Sequence, residues 1–77
     1  MTYRECLNQL WADATKKYEE LAAAQDRLVE ETNGFFPKEV LYDYEKAYLS
    51  WQAAQNNYNG VLAFVNNNRL DLNLNIG

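Results

Sequence analysis

Between Val40 and Val65 the apolar residues Val40, Tyr44, Ala47, Trp51, Ala54, Tyr58, Val61 and Val65 follow one another at steps of four, three, four, three. That spacing keeps side chains on one face of an α-helix, whereas the two-residue period of a strand cannot place them all on one side. A chain with such a stripe forms a long helix whose apolar face needs cover.

The cover is in the same chain. Leu7, Leu10, Trp11, Ala14, Tyr18, Leu21, Leu28 and Val29 make a second helical stripe, interrupted only at Gln25. Thr2 and Glu5 ahead of it form a capping box, with Thr2 as the N-cap. Asp13, Lys16, Lys17, Glu20, Arg27 and Glu31 occupy the opposite face. Together these predict a first helix over 3–32. Asn33-Gly34 ends it, because Gly34 can adopt the left-handed conformation of a helix terminus. Pro37 opens a second helix, where its missing N–H costs nothing. Glu39 then sits well against the helix dipole, and Phe35 with Val40 forms a hydrophobic staple.

The second helix is predicted over 37–67. Its weak point is Asn59-Gly60, since glycine costs up to ~1 kcal/mol inside a helix. Val61 and Val65 continue the stripe in phase across it, so the expectation is an unbroken helix, with any kink falling there.

A short connection makes antiparallel neighbours. With the chain folded at Gly34, Leu28 meets Val40, Leu21 meets Ala47, Ala14 meets Ala54 and Leu7 meets Val61. Between these layers Gln25 meets Tyr44, Tyr18 meets Trp51 and Trp11 meets Tyr58. One register pairs every layer. The fold expected is all-α: a single-domain antiparallel two-helix hairpin, roughly 45 Å long at 1.5 Å per residue. Residues 69–77 differ. From Arg69 to Ile76 polar and apolar residues alternate, which is a strand pattern. Such a tail either pairs with another chain's strand, by β-addition, or lies extended along the hairpin's own helices, or is disordered as chain ends often are.

Seventy-seven residues bury little surface, and chains this small commonly rely on disulfides, metals or self-association. Cys6 is the single cysteine and histidine is absent, so an internal disulfide and a Cys/His zinc site are both excluded. That leaves self-association, as a homodimer that completes a helical bundle. The charge of −4, from seven basic and eleven acidic residues, disfavours direct nucleic-acid binding and suits a basic protein surface. No apolar run approaches the ~20 residues of a membrane span, and the N-terminus carries no apolar signal region. The single thiol then points to a reducing, cytoplasmic setting.

Catalysis is not expected, and neither a cofactor nor a metal is implied. Glu19-Glu20 and Asp43 with Glu45 are the available carboxylate pairs, but acid–base chemistry needs shared burial in a cleft that a slender hairpin lacks. Cys6 has no histidine base and reads as a small hydrophobe. The candidate residues are instead for partner binding. Leu41, Tyr48 and Leu62 form a second row beside the main stripe, widening the apolar face beyond one neighbour's needs. Tyr42 lies off the stripe as an exposed contact, and tyrosine suits such anchors. Glu30 and Glu31 oppose the helix dipole and offer an acidic contact. Leu70, Leu72 and Leu74 are the apolar residues of the tail. The function expected is a non-enzymatic protein-interaction module that binds and inhibits a larger partner, in size and character like the small acidic inhibitors of phages and mobile elements. A structural subunit using the tail strand, and a nucleic-acid mimic occupying a basic groove, are the alternatives.

Overall fold

A computed structural model describes residues 1–30 and 38–76. Two helices make up the fold, α1 (Tyr3–Glu30) and α2 (Lys38–Asn67). They pack along their whole length as the expected all-α hairpin, in a rod of 52 × 17 × 16 Å. Its radius of gyration is 16.8 Å, against about 11.5 Å for a compact chain of this length. The connection, with Glu31, Gly34, the Phe35 staple and Pro37, lies outside the described residues. α2 runs through Asn59-Gly60 without interruption.

The seam repeats every seven residues. Leu7, Ala14 and Leu21 are buried on α1, and Val40 and Ala54 on α2. Leu28, Ala47 and Val61 continue the two rows half-buried. Val65 is buried four residues beyond Val61. Ala14 and Ala54 are each 4% exposed at mid-length, where small side chains let the helix axes approach closely. The aromatic layers hold their predicted register: Trp11 and Tyr58 have ring centroids 5.2 Å apart, and Tyr18 and Trp51 6.2 Å. They are not interior layers, however. Trp11 is 56% and Tyr18 57% exposed, because two helices share a seam only one residue wide and a side chain beside it gains one neighbour rather than three.

Both ends of the hairpin opposite the connection are closed by hydrogen bonds. α2 ends in a Schellman motif: the Leu70 N–H donates to the Val65 carbonyl at 3.0 Å, and the Arg69 N–H to the Asn66 carbonyl at 3.3 Å. This requires a left-handed residue, and Arg69 takes it at φ 51°. The Phe64 carbonyl accepts both the Asn68 backbone N–H at 3.1 Å and the Asn68 side-chain amide at 2.9 Å. Asp71 then turns the chain. Its carboxylate accepts the Asn73 N–H at 2.9 Å, and its carbonyl accepts the Leu74 N–H at 3.0 Å.

The tail therefore does not form the extended strand its alternation predicts. One antiparallel bridge, Thr2 with Asn75, is its β-type pairing among the described residues. The reason is local competition: an isolated strand leaves its backbone unpaired, whereas the helix terminus and Asp71 offer partners within a few residues.

The tail's carbonyls are used at the start of α1. Tyr3 donates its N–H to the Leu74 carbonyl at 3.1 Å, and Arg4 to the Leu72 carbonyl at 2.9 Å. The capping box supplies the rest. The Glu5 N–H donates to Thr2 Oγ1 at 3.2 Å, and the Thr2 N–H to Glu5 Oε1 at 3.2 Å. Each N–H that a helix start leaves without an intrahelical acceptor, from Thr2 to Glu5, thus has one. The Ile76 N–H donates to the Met1 carbonyl at 2.8 Å, so the two chain ends are clasped together.

Candidate interaction surface

The two flanks of the hairpin are unlike. On one side, which on α2 is the row three positions after each seam residue, the contacts are a tilted Tyr3–Phe64 ring pair at 6.3 Å and an Arg27–Asp43 ion pair at 3.1 Å. Lys17, Ser50 and Asn57 share that side. Lys17 is also 3.8 Å from Glu20.

The other flank is built from positions four and one after the seam. Its inner rows are Trp11 and Tyr18 on α1, and Tyr44, Trp51 and Tyr58 on α2. The outer row on α2 is Leu41, Tyr48, Gln55 and Leu62, the second row expected from sequence. Tyr48 bridges the two rows, with ring centroids 6.5 Å from Tyr44 and 5.9 Å from Trp51. With Tyr18 this makes a continuous aromatic cluster across both helices. Leu41 and Tyr48 are each 40% exposed, and Leu62 is half-buried.

Two open grooves mark this flank. One, of about 230 Å³, is lined by Trp11, Ala14, Thr15, Tyr18, Trp51 and Gln55 at mid-length. A wider one, of about 470 Å³, runs toward the clasped ends between Arg4, Tyr58, Leu62, Leu70 and Leu72. Leu70 and Leu72 are half-buried there, so the tail extends the flank. Among the described residues of these rows Arg4 alone is charged, in a chain that is 23% charged overall. The carboxylates lie off these rows: Glu19, Glu20, Asp43 and Glu45 are all exposed and none lines either groove.

The remaining candidates are dispersed. Tyr42 is 65% exposed but on the outer side of α2, next to the similarly exposed Leu49. Glu30 is exposed at the end of α1, and Glu31 lies outside the described residues. Leu74 is 48% exposed beside the α1 N-terminus. Cys6 is half-buried. Sequence reading placed Leu41, Tyr48 and Leu62 on a surface row but took Trp11 and Tyr18 for interior layers. The available signal was the charge pattern: the rows that hold these aromatics are cleared of Lys, Asp and Glu on both helices.

No helix among the described residues is long and apolar enough to cross a membrane. No protein-family model, no curated protein and no solved structure matches the chain.

Proposed function

We propose that the protein works by binding another protein rather than by catalysis, as a small intracellular interaction module that binds and modulates a larger partner, of the type made by phages and mobile elements. The observation that carries this reading is the uncharged aromatic flank. Interfaces are depleted in charge at their centre and enriched in Tyr and Trp, and the stretch of this flank from Trp11 and Tyr58 to Tyr44 and Tyr48 has both properties. A free monomer gains nothing from keeping Trp11 and Tyr18 more than half in water. The nucleic-acid-mimic alternative draws less support, since a mimic needs its carboxylates arrayed on the contact face and here they lie off it.

The test compares capture from host lysate by the wild-type chain, by Tyr18→Glu/Tyr48→Glu on the flank, and by Tyr42→Glu/Leu49→Glu on the outer face, each checked for helicity. The reading expects the specific protein held by wild type to be lost with the flank variant and kept with the outer one. The opposite pattern would overturn it.

A further inference from the structure

We infer that the occupant of the aromatic flank is a second copy of this chain, so that two hairpins meet flank to flank as a four-helix bundle. The inference rests on the reading of the flank as an interface and names its partner.

Surface area is the first argument. A compact protein of 9.0 kDa exposes about 4,900 Å². This chain exposes 5852 Å². The excess, about 1,000 Å², is close to what one protomer loses in a stable dimer burying about 2,000 Å² in total. The core gives the same answer: among the described residues no large side chain is fully buried, and the seam has six buried residues, two of them alanine. A second hairpin laid over the flank gives Trp11, Tyr18 and Trp51 the neighbours that a two-helix layer cannot provide.

Charge selects the occupant. Each copy carries −4, so two copies repel unless they meet where the charge is absent. This flank comes nearest to that, its single charge among the described residues being Arg4 at the clasped end. A basic protein or a nucleic-acid-binding groove would find no carboxylate on it, whereas its own uncharged rows match it. A two-fold pairing uses the same patch on both copies, and the mid-length groove rimmed by Trp11, Tyr18 and Trp51 lies at the centre of that patch.

Sedimentation equilibrium on the full chain from micromolar to millimolar concentration tests this. The mass is expected to rise from 9.0 kDa to twice that value and stop there, with tryptophan emission moving to the blue as dimer forms. Tyr18→Glu and, separately, Tyr48→Ala are expected to weaken the pairing about thirtyfold or more while keeping the helical circular dichroism signal. Tyr42→Glu/Leu49→Glu is expected to leave it unchanged. A wild-type mass that stays at 9.0 kDa throughout overturns self-pairing, as does growth beyond the dimer or a dimer indifferent to both flank variants. Should the wild-type chain remain monomeric while the flank variant still loses a captured host protein, self-pairing fails and the interaction reading survives.

Discussion

The ring of Tyr18 stands 6.2 Å from that of Trp51 across the two helices, yet 57% of Tyr18 remains in water. The pair is in register without being core. It stabilises the hairpin through one face and leaves the other free, and the same holds for Trp11 against Tyr58.

The seam itself is intolerant of size. Ala14 and Ala54 are both 4% exposed where the two helices face each other. Ala54→Leu should force them apart and cost roughly 1–3 kcal/mol. Urea unfolding at fixed protein concentration measures this, and an unchanged midpoint would mean that the helices have slack at mid-length.

Acid should loosen the start of α1. Hydrogen bonds from the Thr2 N–H and then the Thr2 hydroxyl hold the Glu5 carboxyl below its ordinary range, reinforced by the nearby N-terminal charge. A carboxylate whose folded pKa is depressed adds stability above its unfolded value, around pH 4, and that stability is lost as pH falls through the folded value. The melting temperature should therefore decline below about pH 4, and Glu5→Gln should flatten that decline. Thr2→Ala removes the acceptor for the Glu5 N–H as well, at a cost of ~1 kcal/mol. Thermal melts across pH for the three chains check the sign.

The tail should act as a cap on the first turn. Ending the chain after Arg69 removes the Leu72 and Leu74 carbonyls that accept from Arg4 and Tyr3. Two such bonds contribute roughly 1–3 kcal/mol net. Amide hydrogen exchange should accelerate at Tyr3 and Arg4 well before it does at Ala14. Uniform acceleration would show that the tail stabilises the whole hairpin instead.

Two positions should accept stabilising changes. A Cβ built on Gly60 meets nothing within 4 Å, so Gly60→Ala should add up to ~1 kcal/mol by helix propensity alone. Arg69 sits at φ 51°, where a side chain is strained, and Arg69→Gly should relieve up to ~1 kcal/mol. Denaturant midpoints above wild type are expected for both, and a fall at Gly60 would point to a close approach there that the monomer does not contain.

Much of this architecture is written in spacing. The four-three steps on either side of Gly34 state two helices, their register and the seam at Leu7, Ala14, Leu21, Val40 and Ala54, because helical periodicity is a property of neighbours in the chain. Thr2 and Glu5 declare their capping box for the same reason: the partners are three residues apart. Tertiary packing alone decided the rest. The alternation from Arg69 to Ile76 looked like a strand, but the N–H groups that donate to its carbonyls belong to Tyr3 and Arg4, some seventy residues away in the chain, where no local pattern announces them. The exposure of Trp11 and Tyr18 was likewise not legible from their period. Periodicity tells which side of a helix a residue is on, and only the number of neighbouring helices tells how much water that side excludes.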